Sequence, residues 1–390
     1  MAVLIRGGVV YAPERLGPND VLIAGGRIEA VAAPGTIVLR GADVREIDAS
    51  GLSVLPGFVD GHVHILGGGG EGGPATRAPE ITIEDVAAGG VTTIVGCLGT
   101  DGVTRTLAAL LAKARALEIE GVSTFVFIGS YDVPVKTLTG SVRSDLVLID
   151  KAIGAGEIAI SDHRSSQPTF EEIARLAAEC RVGGLLGGKA GVLHLHVGGG
   201  GRGLADLFRL VKETEIPASQ VMPTHINRNR RLLEEGIAWV KAGGAADFTA
   251  GTPIEKETDD DVSVETAVRL SLAAGAPLER LTVSSDANGS VPRFDARGRL
   301  TGLTVASESS LLDAFRSIVR RRILDLAGAA GLFASNPARF YKLPGKGEIR
   351  PGADADLVLL DKDLGVADVI ARGRFLVERG ALLARGTFAS

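Results

Sequence analysis

Residues 57–65 read GFVDGHVHI, an apolar run of strand length that ends in two histidines one residue apart. Side chains two apart on a strand point to one face, so His62 and His64 can hold one metal ion together. Seven further segments of the same kind follow: VTTIVGCLG (91–99), VSTFVFIGSY (122–131), EIAISDH (157–163), GVLHLHVG (191–198), QVMPTHIN (220–227), ADFTAG (246–251) and LTVSSDANG (281–289). Helical runs lie between them, among them 105–121, 169–181, 204–214, 230–243 and 264–275. This alternation predicts a parallel sheet with crossover helices. Eight strand–helix units are what a (β/α)8 TIM-type barrel requires, whereas a doubly wound sheet calls for fewer strands and a nucleotide fingerprint.

The two ends differ in character. VLIRGGVVYA, DVLIAGGRIEAVA and VREIDA near the start, and ADLVLLD, VADVIARGRFLVERG and ALLARGTF near the finish, are short strand-like stretches broken by Gly, Pro, Asn or Asp. They predict a small β-sandwich domain assembled from residues 1–54 and 343–390, flanking a catalytic barrel at 55–342.

The chain of 390 residues is 45% apolar and 23% charged, ordinary for a protein with a sizeable core. A net charge of −5 with no Lys/Arg-rich run points away from nucleic acid and anionic membranes and towards a small-molecule partner. Cys97 and Cys180 are the two cysteines, so the sequence offers neither a disulfide framework nor a cysteine-based zinc site. The first residues lack a secretory pattern, and no run of about 20 apolar residues could span a bilayer. A cytoplasmic protein is the expectation.

Barrel active sites form at the C-terminal ends of the strands. Of six histidines, His62, His64, His196 and His225 fall there, and Asp286 ends the eighth segment. A lone His-X-His is weak evidence, but five ligand-type residues on one predicted rim form a strong joint pattern for metal. His163 and His194 read as hydrogen-bonded core histidines rather than ligands, His194 because no partner spacing singles it out and His163, in SDHRS, because it is better suited to orienting the loop. The Gly67–Gly70 run lacks the GK[ST] of a phosphate loop and reads as a loop that brings backbone N–H groups to a substrate.

The motifs PGFVDGHVHILGGGGEGGPATR, ISDHRS, VGGLLGGK, PTHINRN and SSDANGS resemble the amidohydrolase superfamily and, within it, the isoaspartyl (β-aspartyl) dipeptidases. The resemblance implies a zinc pair bridged by hydroxide, with His62, His64 and Asp286 on one ion and His196 and His225 on the other. It also implies a carboxylated lysine between the ions. Here Glu157 stands at that position and no lysine lies between Lys151 and Lys189, so the expected bridge is the Glu157 carboxylate, with an arm roughly 3 to 4 Å shorter.

A β-aspartyl dipeptide carries two carboxylates and one ammonium. Arg164 and Arg228 suit the carboxylates, because a guanidinium forks onto them in bidentate fashion, and Glu71 suits the ammonium. Thr100 and Ser290 resemble the family's substrate-contacting hydroxyls, Tyr131 its oxyanion-stabilising tyrosine, and Asp286 its proton shuttle. The resemblance further implies a homo-oligomer, an octamer. A cyclic amidohydrolase, of hydantoinase or dihydroorotase type, shares the metal site without needing two arginines and a glutamate around it. A barrel that has lost its metal and serves as a scaffold is the third reading.

Overall fold

The structure, a computed structural model, describes residues 2–41, 43–251, 258, 261–294 and 300–389. The chain begins with β1 (Ala2–Tyr11), β2 (Arg15–Ala24), β3 (Arg27–Ala32), β4 (Val44–Asp48) and β5 (Ser53–Pro56). Eight strands separated by helices follow: β6 (Phe58–Val63), β7 (Val91–Gly96), β8 (Ser123–Ile128), β9 (Ala152–Ile160), β10 (Val192–Val197), β11 (Val221–Thr224), β12 (Ala246–Thr249) and β13 (Leu281–Ser284). A hairpin that the sequence does not announce, β14 (Ser290–Phe294) with β15 (Leu300–Val305), comes next. The chain closes with β16 (Leu357–Leu360), β17 (Val366–Ala371), β18 (Arg374–Glu378) and β19 (Ala381–Leu382).

The central eight strands make a TIM-barrel-type fold. Their ladder is split in two, however, where the sequence predicts one continuous ring: β6 to β11 form a six-stranded parallel sheet, and β12 pairs with β13. The groups meet at two seams, where Ile226 N–H donates to the Asp247 carbonyl (3.2 Å) and His64 N–H to the Ala287 carbonyl (2.9 Å). Side chains replace ladder bonds there. Buried Asp247 accepts from the hydroxyls of Thr224, Thr282 and Ser284 at 2.6 to 2.7 Å, and Asp60 accepts the Ser285 N–H at 3.0 Å. Strands of four residues leave little backbone for a ladder, so carboxylate–hydroxyl bonds tie β11, β12 and β13 together. Val59, Val95, Phe127, Ile153, Val192 and Met222 pack as an apolar layer among the strands.

The ends form one nine-stranded hydrogen-bonded network, ordered β19-β18-β17-β16-β5-β1-β2-β3 with β4 on β1, which joins the strands of both termini. The reason lies in β1, which pairs with β4 along Ala2–Arg6 and with β5 at Val9 and Val10. A Cβ on Gly8, between those halves, would lie 2.5 Å from the Val54 side chain, so the change of partner needs glycine. Val3, Ile5, Val21, Ile28, Leu357 and Ile370 bury a separate core in this sheet. Only Gly57 separates β5 from β6, and buried Lys346 reaches Ser123 at the start of β8 (2.6 Å) and Asp356 (2.7 Å), so sheet and barrel share a rigid seam. No helix among the described residues is long and apolar enough to cross a membrane.

Candidate active site

Glu157 is fully buried at the centre of four histidines. Its Oε2 lies 3.4 Å from His62 Nε2, 3.1 Å from His196 Nδ1 and 3.7 Å from His225 Nε2, and its Oε1 lies 3.3 Å from His64 Nε2. Asp286 Oδ1 completes the group, 3.1 Å from His64 Nε2 and 3.5 Å from His62 Nε2. The sequence starts the fourth strand at Glu157; β9 starts five residues earlier, because Gly154 and Gly156 interrupt the apolar pattern. Between Ala155–Leu193 and Ile158–Leu195 the pairing slips, so β9 carries one extra residue at Glu157. Such bulges re-aim a side chain, and here the bulge brings the short carboxylate arm to all four rings. Gly156 permits it, since a Cβ there would meet the His194 Cβ at 2.8 Å.

Each histidine turns its other nitrogen outward. His62 Nδ1 meets His194 Nε2 at 2.7 Å, His196 Nε2 meets Asp162 Oδ2 at 3.0 Å, and His225 Nδ1 meets the Thr249 hydroxyl at 2.7 Å. Outer partners of this kind fix ring orientation and tautomer for a metal ligand. His64 Nδ1 faces a sulfur instead, Cys97 Sγ at 3.8 Å. Burial and the charge of His62 hold His194 well below the usual imidazole range, so it is neutral. His62 Nδ1–H then donates to His194, whose Nδ1–H donates to Tyr341 at 3.3 Å.

His62 Nε2, Glu157 Oε1 and Asp286 Oδ1 are buried with no hydrogen-bond partner. Burial pushes the Glu157 carboxyl up, but the charge of His62 and hydrogen bonds from His196, His225 and His62 outweigh it and hold Glu157 well below the carboxylate range. Burial pushes the Asp286 carboxyl up, but the close approach of His64 and the nearby histidine charges outweigh it and lower it to about 2. Two ionised carboxylates, each with an unpartnered oxygen, beside the unpartnered His62 Nε2 fit a cation. Donor atoms of three sets, His62–His64–Cys97–Glu157, His62–His225–Asp286 and Glu157–His196–His225, close to within 4.8 Å of one another.

Glu71, Thr100, Tyr131, Arg164, Arg228 and Ser290 all line one cavity of about 1360 Å³ that opens over this cluster. Arg164 is paired within the protein: it forks onto Asp162 (2.8 and 3.0 Å) and reaches Glu71 (3.2 Å), whose Oε1 also accepts the Thr100 hydroxyl at 2.8 Å. Arg228 Nε donates to the Val197 carbonyl at 3.1 Å. Tyr131 does not point freely into the cavity; its hydroxyl meets His196 Nδ1 at 2.9 Å. Burial and the charge of Glu157 hold its phenol well above the ordinary value, so it stays a donor.

Several expectations change. The Gly67, Gly68 and Gly70 N–H groups bond to the carbonyls of His64, Asn288 and Thr76 and are not presented to a ligand. The glycines serve close packing, since a Cβ on Gly67 would meet the Ala78 carbonyl at 2.2 Å. His163 is not a core residue: its side chain is 91% exposed beside Asp162. Cys97 lies in one of the donor groups that could hold a metal ion, and both cysteines are unpaired. Asp162 and His194 were also missed, although each lies beside a strand-end histidine or arginine in the motifs SDHR and HLH.

A model of the amidohydrolase family matches residues 53–376. The chain belongs to the amidohydrolase family. A crystal structure of beta-aspartyl dipeptidase from Fervidobacterium islandicum AW-1, in complex with a beta-Asp-Leu dipeptide, is 44% identical with a TM-score of 0.93, covering 99% of both chains. A dihydroorotase of Pelotomaculum thermopropionicum is 25% identical over 98% of this chain and 95% of its own. Dihydropyrimidinase from Brevibacillus agri, at 18% identity and a TM-score of 0.69 over 99% of this chain and 97% of its own, shares the fold.

In this amidohydrolase the His62–His194 bond is open to a direct test. His194→Phe keeps a ring against Phe127, which stacks on His194 at 4.5 Å, and removes the acceptor of the His62 Nδ1–H. The expected result is roughly 10- to 100-fold weaker metal binding in competition with a chromophoric chelator. Equal affinity in both proteins would show that His194 only fills space.

Proposed function

We propose that the protein is a zinc-dependent β-aspartyl (isoaspartyl) dipeptidase working at the mouth of a closed (β/α)8 barrel. The observation that carries this reading is one cavity whose lining, besides other charged residues such as Arg321 and Glu265, brings Arg164, Arg228 and Glu71 over a four-histidine, two-carboxylate cluster. Those three side chains match the charges of a substrate with two carboxylates and one ammonium beside its scissile amide. The similarity to a dipeptidase solved with beta-Asp-Leu supports it.

His62, His64 and Asp286 would hold one zinc ion, His196 and His225 the other, and Glu157 would bridge them. When bound, such a pair brings a water towards neutral pKa and polarises the amide carbonyl. The residues of the chain do the rest. The Arg164–Glu71 ion pair opens to exchange partners, Arg164 taking a substrate carboxylate and Glu71 the ammonium, with Thr100 and Ser290 beside them. Arg228 takes the second carboxylate. Asp286, ionised on entry, accepts the proton of the attacking water at Oδ1 and passes it to the leaving nitrogen. The protonated Tyr131 hydroxyl turns from His196 to the oxygen that becomes negative.

Dihydroorotase relatives at 25% identity favour a second reading, hydrolysis of a cyclic amide. Purified protein offered β-Asp-Leu, α-Asp-Leu, hydantoin and dihydroorotate separates the two. Only β-Asp-Leu should be cleaved, and Arg228→Met should lower its kcat/KM roughly 30-fold to several-thousand-fold, or about 2 to 5 kcal/mol. Turnover of the cyclic amides with β-Asp-Leu untouched would sink the dipeptidase reading.

Asp286→Asn removes the proton shuttle and keeps an oxygen donor, so turnover should vanish while β-Asp-Leu still binds. Calorimetry and a product assay check both halves, and substantial activity would rule out Asp286 as the base.

Glutamate is a carboxylate without any modification, whereas lysine must first take up CO2 before it can bridge. Refilling the stripped protein with zinc should therefore be independent of bicarbonate, and Glu157→Gln should lower zinc stoichiometry. A bicarbonate requirement in the native sequence would assign the bridge to another residue.

A further inference from the structure

We propose that Cys97 is itself a metal ligand, its sulfur joining His62, His64 and Glu157 around one ion. This inference rests on the metal-hydrolase reading above and adds a donor of a different chemical kind to it.

Cys97 follows β7 and is 1% exposed. One ligand atom from each of His62, His64, Cys97 and Glu157 lies within 4.8 Å of the other three. A tetrahedral zinc ion, at about 2.0 to 2.1 Å from nitrogen and about 2.3 Å from sulfur, needs donors roughly 3.3 to 3.6 Å apart. His64 Nε2 to Glu157 Oε1 at 3.3 Å and His62 Nε2 to Glu157 Oε2 at 3.4 Å already meet that spacing.

A second observation is independent of the cysteine. His62 Nε2 and Glu157 Oε1, both fully buried, have no hydrogen-bond partner, and both residues share a donor set with Cys97. Three of the four histidines have an oxygen or nitrogen on their outward nitrogen. His64 Nδ1 has sulfur at 3.8 Å, a contact too long for a firm hydrogen bond. Cys180 is the contrast, since it is equally buried, belongs to none of the ligand sets, and has its thiol pushed by burial up to about 12.

On binding, the sulfur–metal bond forms and the thiol proton leaves to solvent, with no change of oxidation state. Sulfur biases the set towards zinc, cobalt or cadmium and away from magnesium, calcium or manganese.

The test strips the protein with a chelator, refills it with Co2+ and records the near-ultraviolet spectrum together with bound cobalt. The native protein and Cys180→Ser should show the thiolate-to-cobalt charge-transfer absorption, and Cys97→Ser and Cys97→Ala should lose it while retaining the same far-ultraviolet circular dichroism. With only two cysteines in the chain, Cys180→Ser assigns the band even if the Cys97 variants fail to fold. Bound cobalt without the band, or a band that survives in Cys97→Ser, overturns the sulfur ligand and leaves the metal-hydrolase reading intact. A native protein that takes up no cobalt overturns both.

Discussion

The structure is organised around one buried carboxylate. Glu157 meets four histidines from three strand ends at a single point, and its charge offsets the cost of burying them together. The surroundings follow from that demand. The extra residue in β9 supplies the reach, Gly156 yields the space, and His194, Asp162 and Thr249 tie the outward nitrogens so that the inward ones cannot turn away.

The cavity above has a complementary logic. Arg164 is held between Asp162 and Glu71, so neither charge of that pair waits for a ligand at full desolvation cost. On the proposed reading a zwitterionic ligand with carboxylate and ammonium exchanges one ion pair for two. A ligand offering only one of those charges strands a partner. Selectivity then arises from what the site loses as much as from what it gains.

Much of this was legible in the sequence because it is local. HVH declares a shared strand face by spacing alone, and THINR and SSDANG place a ligand at the end of an apolar run. What was not legible depends on register and on distant partners. A bulge at Glu157 leaves no mark except two glycines, which also obscure where β9 begins. His194 has the same alternation whether it meets His62 or merely fills core, and Cys97 looks like any apolar strand residue until β6 and β7 are aligned. The joining of the two ends through β1 was hidden for the same reason. Whether β1 serves one sheet or two turns on a glycine that lets it change neighbours.

That sheet has a consequence for the order in which the chain can be built. β5 leads directly into β6, yet one of its two neighbours, β16, lies some 300 residues further on. Until residues 357–360 leave the ribosome, β5 presents an open apolar edge beside the first barrel strand. An unpaired edge of this kind is a template for pairing with another chain. Contacts this remote also slow folding, because the loop must close before the pairing rewards it. The last strands are therefore a latch, and a chain released short of them keeps every histidine and carboxylate of the buried cluster while leaving its entrance strand uncovered.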